Sequence, residues 1–254
     1  EAATVLWVGT DNGLGYYDGQ AWTRYTVEQG LPSNNVWALM VADNGDLLVG
    51  TDGGAARFNG DSFEAFKQTL DRPINGIVQD ANGDFWFSGS GGVMRYNPAA
   101  ADWQVFSADS GDLPVYEIFR VWRDPDSGTL YFGSNGGGLI HYDGQFTSWL
   151  VPNTLGLGGV GLIVPAPDGT LWFVEEYGSQ ADQFDPVTGL WSPVKLPCDN
   201  CAPLTFDVNG RLWLGGEQGA WIVDGDQVTN LTTEQGLPSN VVFAIAFAPD
   251  GFAW

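Results

Sequence analysis

Tyrosine and glutamate stand side by side twice in the chain, at Tyr116–Glu117 and at Glu176–Tyr177. At the equivalent places, neighbouring segments of the sequence have small Gly, Ser or Asn residues, and a repetitive scaffold gains specificity only where its copies differ. Carboxylates and amides can bind hydroxyl groups, and aromatic rings can pack on the face of a pyranose. We therefore predict that a ligand, with a neutral sugar as one candidate, is bound by Tyr116, Glu117, Glu176, Tyr177, Asn35 and Trp37. The alternatives are that these residues form turns or have drifted in loops without packing duty.

Other reactive residue types do not form a catalytic set. His141, the single histidine, lies in LIHYDG on a predicted strand, and no GxSxG motif accompanies it. Glu175 and Glu176 are adjacent, so on a strand they face opposite ways, which argues against a paired acid and base. We predict that the protein is not an enzyme and that it has no metal site and no cofactor.

The two cysteines, Cys198 and Cys201, form a CDNC motif. No second cysteine pair and no nearby histidine could complete a four-ligand zinc site. We favour a small loop disulfide over a free pair, which agrees with an oxidising compartment.

Charge and hydropathy exclude two classes of partner. The 254 residues include 31 acidic and 9 basic side chains, for a formal net charge of −22. Such a surface repels phosphate backbones and anionic lipids, so we predict no nucleic-acid partner. No apolar run of 18 residues occurs, which predicts no membrane insertion by this segment.

A repeat of roughly 40 residues organises the whole chain. One position recurs as Trp7, Leu48, Trp86, Tyr131, Trp172, Trp213 and Trp254. The segment YTVEQGLPSNNVWAL at 25–39 returns as LTTEQGLPSNVVFAI at 231–245, five repeats later. Repeats three to five lack the EQGLPSN connection.

Each repeat reads as four short antiparallel strands. In the second repeat we predict strands at 35–42, 47–50, 55–58 and 62–66, with DNGD at 43–46 as a hairpin turn. The recurring aromatic residues are expected to pack between neighbouring repeats, with Trp7, Trp86, Trp172 and Trp213 buried. The sixth repeat has Val223 and Val228 where the other repeats have aromatic residues on the third and fourth strands, so it should pack more loosely.

These strands predict an all-β fold, a β-propeller of six four-stranded blades that forms a single domain over 1–254. Pairing of the C-terminal strand 241–247 with 5–9 would close the ring and remove exposed edges. Residues Ala253 and Trp254 repeat the register of Leu6 and Trp7, which suggests excision from a longer chain. Seven blades in the intact protein are the alternative.

The motifs GLPSNNVWAL and NGDLLVGTDGGAARFNG resemble the two-component regulator propeller repeats of periplasmic sensor regions. The resemblance implies a periplasmic or extracellular ligand-sensing scaffold, often for carbohydrate fragments, whose signalling lies in later domains. A structural or adhesive propeller that binds another protein is the second hypothesis, and a polysaccharide lyase or hydrolase is the third.

Overall fold

The computed structural model describes residues 6–18, 20–149, 160, 162–174, 180–198, 201, 204–207, 209–242 and 245. The chain forms two compact units, Glu1–Trp149 (unit 1) and Leu150–Trp254 (unit 2). Within the described residues the ordered elements are strands and three single 3₁₀ turns, at Val27–Gln29, Lys67–Thr69 and Thr233–Gln235. No described helix is long and apolar enough to cross a membrane.

The described residues of unit 1 form four sheets, and the strands of each sheet follow one another in chain order. The strands are β1 (Leu6–Thr10), β2 (Gly13–Tyr17), β3 (Trp22–Tyr25), β4 (Val36–Val41), β5 (Leu47–Thr51), β6 (Gly54–Phe58), β7 (Phe63–Ala65), β8 (Ile74–Gln79), β9 (Phe85–Gly89), β10 (Gly92–Asn97), β11 (Asp102–Phe106), β12 (Ile118–Arg123), β13 (Leu130–Ser134), β14 (Leu139–Tyr142) and β15 (Phe146–Trp149). Blade one is β1–β3, blade two β4–β7, blade three β8–β11 and blade four β12–β15.

The described residues of unit 2 form two further sheets, blade five and blade six. Blade five consists of β16 (Leu162–Pro165), β17 (Leu171–Val174), β18 (Gln180–Asp185) and β19 (Leu190–Lys195), and blade six of β20 (Leu204–Phe206), β21 (Leu212–Leu214), β22 (Ala220–Asp224) and β23 (Gln227–Leu231). All neighbouring strands in both units pair antiparallel.

The predicted all-β architecture is confirmed, with six sheets among the described residues. The predicted strands of the second repeat agree with β4–β7 to within about two residues at each end. In the described part of the chain, blade one has three strands. Most of the segment predicted to supply its fourth strand, 241–247, lies outside the described residues, so closure by this pairing stays a prediction.

The hydrophobic core lies between neighbouring blades, because each sheet has apolar side chains on both faces. One cluster joins blades one and two around Leu14 and Val49, and another joins blades three and four around Trp86 and Phe132. In unit 2, a cluster around Leu204 and Leu214 joins blades five and six. Packing between blades is what holds each sheet in place.

The burial of the recurring tryptophans is confirmed for Trp86 only. Trp86 is completely buried because Tyr142 and Phe146 of blade four cover its ring, with centroids 4.7 and 6.4 Å away. Trp172 is only partly buried, and the equivalent positions of blade six hold the smaller Val223 and Val228. The prediction was also wrong for Trp7, in the three-stranded sheet, and for Trp213, in the last sheet; both are partly buried.

Candidate functional site

Two kinds of loop meet at one end of the blades in unit 1. The connectors between blades approach the loops that join second and third strands: the Gly13 N–H donates to the Asn34 carbonyl (2.7 Å), and the Gly91 N–H donates to that of Tyr116 (2.8 Å). We call this end the loop face, and the opposite end, which carries the hairpin turns such as 42–46 and 80–84, the turn face. The loop face is formed by connectors 26–35, 66–73 and 107–117 and by loops 11–12, 52–53, 90–91 and 135–138.

Each first strand of blades two to four carries a β-bulge where it leaves the loop face. The strand register shifts between Val36 and Ala38, between Ile74 and Gly76, and between Ile118 and Arg120. A bulge leaves the extra residue unpaired and redirects side chains, which is why bulges are common beside binding sites. The bulged residues are Trp37, Asn75 and Phe119.

Blade two presents an exposed indole held by hydrogen bonds. Trp37 is 49% exposed, and its Nε1–H donates to an Asp52 carboxylate oxygen at 2.5 Å. The other Asp52 oxygen accepts from the Asn35 amide at 2.8 Å. Asp52 therefore fixes both predicted residues, Asn35 and Trp37, while leaving the ring in solvent.

Blade four has the same arrangement with the two polar groups exchanged. Here the carboxylate of Glu117 stands at the position of Asn35 and accepts from the Asn135 amide at 2.6 Å. Phe119 occupies the place of Trp37 and has no N–H, so the amide of Asn135 can stand where blade two needs a carboxylate.

Tyr116, next to this pair, is 53% exposed, and its hydroxyl donates to Asp109 at 2.8 Å. This hydrogen bond to a carboxylate raises the pKa of the Tyr116 phenol above its ordinary value, and the negative charge of Asp109 adds to the effect. The hydrogen bond to Asp109 holds the phenol in one orientation. Blade four thus offers a second exposed aromatic ring to the loop face.

Blade three has no such pair, since Pro73 and Ser90 occupy the corresponding positions. Arg120 of blade four reaches across and donates from Nη1 to the Asn75 carbonyl at 3.2 Å. Three further loop-face residues were not predicted from the sequence: Asp109, Phe119 and Arg120. The register of the repeat could have identified Phe119: because Ile118 aligns with Val36, Phe119 aligns with Trp37.

The connector before blade four also keeps a geometry that its sequence hides. The Leu113 N–H donates to the Ser107 carbonyl, as the Leu31 N–H donates to that of Thr26 in the EQGLPSN connector. Both leucines are buried. The EQGLPSN sequence is therefore absent before blade four, as predicted, but the backbone turn that it forms elsewhere is retained there.

Of the predicted ligand residues, the structure brings Asn35, Trp37, Tyr116 and Glu117 to the loop face of unit 1. The other two, Glu176 and Tyr177, lie outside the described residues. The Sγ atoms of Cys198 and Cys201 are 2.05 Å apart, a disulfide, and both residues are buried in the core cluster of unit 2. Among the described residues no group of His, Cys, Asp and Glu side chains could hold a metal ion.

His141 lies on β14, and its ring stacks on Trp149 with centroids 4.0 Å apart. Its Nδ1 is buried and has no hydrogen-bond partner among the described residues. The ring therefore packs against the blade.

A cleft of about 310 Å³ opens on the turn face between blades three and four. Its polar lining includes Asp80 and Arg95, whose side chains are already bonded to Trp86 and Asp84. These two groups stabilise the turn and the packing beneath it.

Comparison with known proteins supports the fold and one repeat family. Residues 30–53 match the family described as Two component regulator propeller. No curated protein sequence is significantly similar to the chain.

Three solved structures illustrate the structural similarity. The extracellular domain of BT4673 from B. thetaiotaomicron, described as a hybrid two component system, is 21% identical with a TM-score of 0.81 over 100% of this chain and 36% of its own. That of BT3049 from the same organism is 18% identical with a TM-score of 0.78 over 98% and 36%. A streptogramin B lyase is 21% identical with a TM-score of 0.75 over 98% of this chain and 86% of its own.

The chain thus spans about a third of the length of the two extracellular domains. At these identities the similarity establishes the fold, and the matched repeat agrees with the resemblance seen in the sequence. The chain is a β-propeller with two-component regulator propeller sequence at residues 30–53.

Proposed function

We propose that the protein is the ligand-recognition propeller of an extracytoplasmic sensor and that it binds a saccharide on the loop face of unit 1. The observation that carries the proposal is Trp37, an indole half exposed at a β-bulge and held by Asp52. The negative face of an aromatic ring attracts the weakly positive C–H groups of a pyranose. A ring that is already oriented loses little conformational entropy when it binds.

The polar pairs beside the rings supply the second half of saccharide recognition. Asn35–Asp52 and Glu117–Asn135 are fixed by their mutual hydrogen bonds, and all four residues remain at least partly exposed. Carboxylate oxygens have further lone pairs, and amide nitrogens have a second N–H, so each pair can still bond to hydroxyl groups. Fixed groups of this kind discriminate between hydroxyl arrangements better than mobile ones.

The comparisons support the sensor part of the proposal. Two of the similar structures are extracellular domains of two-component systems, and this chain resembles part of each. We infer a periplasmic or extracellular location and a signalling output in another part of a longer protein. Within that protein we propose that 1–254 is one propeller domain.

We propose recognition instead of catalysis because the one histidine of the chain packs into blade four. In the lyase group, a histidine-to-alanine variant of virginiamycin B lyase from Staphylococcus aureus is described as catalytically inactive. Here His141 stacks on Trp149 and does not lie at the loop face. A chain that cleaves none of the oligosaccharides it binds would support this part of the proposal, and product formation would oppose it.

The proposal is tested by calorimetric titration of the full chain with a panel of neutral and acidic oligosaccharides. Trp37→Ala should weaken binding at least about tenfold, because the stacking surface is lost. The matched control is Trp22→Ala, which removes a tryptophan that is 59% exposed at the turn-face end of β3. Equal effects of the two variants would contradict the proposal. Binding of a protein partner, with no saccharide bound, would also contradict it and would favour adhesion.

A further inference from the structure

A side-chain bridge joins the turn faces of blades two and three. Gln79, the last residue of β8, accepts through Oε1 from the Asp43 N–H of blade two at 2.8 Å. Its Nε2 donates to the Gly83 carbonyl in the hairpin of blade three at 3.3 Å. One carboxamide group therefore bonds to a backbone donor on one blade and to a backbone acceptor on the next.

Between blades three and four the equivalent residue is an arginine. Gln79 pairs with Phe85, the first residue of β9. Arg123 pairs with Leu130, the first residue of β13, so it stands at the position of Gln79 in the repeat. Arginine has only N–H donors and cannot accept from a backbone N–H. Arg123 forms no ion pair with a described residue, and its Nε is buried without a hydrogen-bond partner among them.

The backbone groups that such a bridge would join line the turn-face cleft of about 310 Å³. Ala81 follows the first residue of its hairpin, as Asp43 does in blade two, and Gly128 precedes the last residue, as Gly83 does in blade three. The Ala81 N–H and the Gly128 carbonyl form no hydrogen bond with a described residue. A Cβ on Gly83 would lie 3.7 Å from Gln79 Nε2, whereas a Cβ on Gly128 would meet no described atom within 4 Å.

Further polar groups lie around the same cleft. Asp143 is exposed and accepts no hydrogen bond from a described residue, whereas Asp18 and Asp185, at the same place in blades one and five, accept from their own hairpins. Asn82 also lines the cleft, and only its backbone N–H is bonded, to Asp80. The volume lies at the lower end of the range for small-ligand sites, about 300–1,000 Å³. The cleft therefore combines room for a small molecule with unbonded donors and acceptors.

We propose that this cleft is a second ligand site and that it binds the carboxamide group of a small molecule. The ligand carbonyl accepts from the Ala81 N–H, and the ligand amide donates to the Gly128 carbonyl, as Gln79 accepts and donates one blade earlier. Asn82 and Asp143 bind hydroxyl or amino groups on the rest of the ligand. The site lies at the opposite end of the blades from the loop face and does not depend on the proposed function.

An N-acetylated amino sugar and the amino acid glutamine both carry this group, and NMR titration of the full chain distinguishes them. The probes are N-acetylglucosamine and glutamine, with glucose and glutamate as controls that lack the carboxamide. The backbone N–H of Gly128 and the side-chain amide of Asn82 should shift in a saturable manner with one or both carboxamides and with neither control. The carboxamide that binds more tightly identifies the source of the group.

Ala81→Pro removes the proposed backbone donor. Pro125 and Pro167 follow the first hairpin residue in blades four and five, so the turn accommodates proline at this place. The variant should weaken carboxamide binding at least about fivefold, the effect of one lost hydrogen bond. Ala81→Ser, which keeps the N–H, is the matched control and should bind as the unaltered chain does.

Arg123→Gln should supply the bridge from blade four and occupy the cleft with its own carboxamide. Binding should then be lost without a fall in the temperature of thermal unfolding, and Arg57→Gln, elsewhere on the turn face, should leave binding unchanged. Thermal unfolding checks the fold of every variant. Undiminished binding by folded Ala81→Pro or Arg123→Gln would overturn the proposal. Absence of binding by both carboxamides, or shifts confined to loop-face residues such as Trp37, would also overturn it.

Discussion

The turn face and the loop face of unit 1 are built from the same strands, but their hydrogen-bonded tryptophans differ in exposure to solvent. On the turn face of blade three, the buried carboxylate of Asp80 accepts from the Trp86 indole at 2.9 Å, and Asp84 pairs with Arg95. On the loop face, the indole of Trp37 is bonded to Asp52 but remains half exposed. The difference indicates that the polar groups of the turn face stabilise the blades, and it agrees with the proposal that the loop face is the recognition surface.

The largest expected effect is the loss of the buried ion pair on the turn face. Asp84 is 1% exposed, and Arg95 Nε donates to its carboxylate at 2.6 Å. Arg95→Leu leaves that carboxylate buried without a partner and should lower the free energy of unfolding by about 3–5 kcal/mol. Urea unfolding measures this loss.

Two further variants isolate the cause. Arg57→Leu removes an exposed pair, 3.5 Å from Asp46, and should cost less than about 1 kcal/mol. The double variant Asp84→Leu with Arg95→Leu should recover most of the stability, because no charge is then left buried. A double variant as unstable as Arg95→Leu alone would show that packing of the arginine, and not the charge, decides the stability.

The second largest effect on stability should come from the hydrogen bond between Asp80, in the hairpin turn of blade three, and the Trp86 indole. Asp80 accepts from Trp86 Nε1 and from the backbone N–H groups of Asn82 and Asp84. Asp80→Ala leaves the indole N–H buried without an acceptor and should cost about 2 kcal/mol. A change in the urea midpoint that corresponds to less than about 0.5 kcal/mol would contradict this assignment.

Blade five lacks the same aspartate, which permits the reverse experiment. Ala166 stands at the position of Asp80, and Nε1 of Trp172 is buried without a hydrogen-bond partner among the described residues. Ala166→Asp should supply the acceptor and raise stability by about 1 kcal/mol. The control is Ala42→Asp in blade two, where Leu48 offers no N–H, so the buried carboxylate should destabilise. Destabilisation by both variants would contradict the pairing.

Blade six shows the same aspartate together with a basic neighbour, and this predicts a pH dependence. Burial raises the pKa of Asp207, but hydrogen bonds from the Arg211 backbone, the Trp213 indole and the Arg211 side chain outweigh it and lower the pKa. A carboxylate with a lowered pKa stabilises the fold above about pH 4 and loses this contribution as the pH falls further. Asp207→Asn should therefore reduce the loss of stability between about pH 4 and pH 2, measured by urea unfolding. An unchanged acid dependence would oppose this.

The smallest expected effect on stability is at the loop face. Trp37→Ala removes a half-exposed ring at a bulge and should change the free energy of unfolding by less than about 0.5 kcal/mol. Together with a large loss of saccharide affinity, this result would separate recognition from stability. A loss above about 2 kcal/mol would instead assign Trp37 to the core.

The sequence predicts the strands because the repeat places turn residues and aromatic residues at the same register in each copy. The Asp80–Trp86 pairing could also have been read from it: Asp207 precedes Trp213 by the same six residues, whereas Ala42 precedes Leu48. The Glu117–Asn135 pair could not, because its residues lie in different loops and exchange roles with Asn35–Asp52. The bulge at Trp37 depends on the register between the first and second strands, which the amino-acid sequence alone does not define.

The loop face as the recognition surface is tested most directly by NMR of the full chain during titration with an oligosaccharide that binds it in the calorimetric panel. The indole N–H of Trp37 and the side chain of Arg120 should shift in a saturable manner, while the indole N–H of Trp22 on the turn face stays unchanged. Saturable shifts confined to Trp22, or to residues of the turn-face cleft such as Tyr142 and Arg95, would contradict the account.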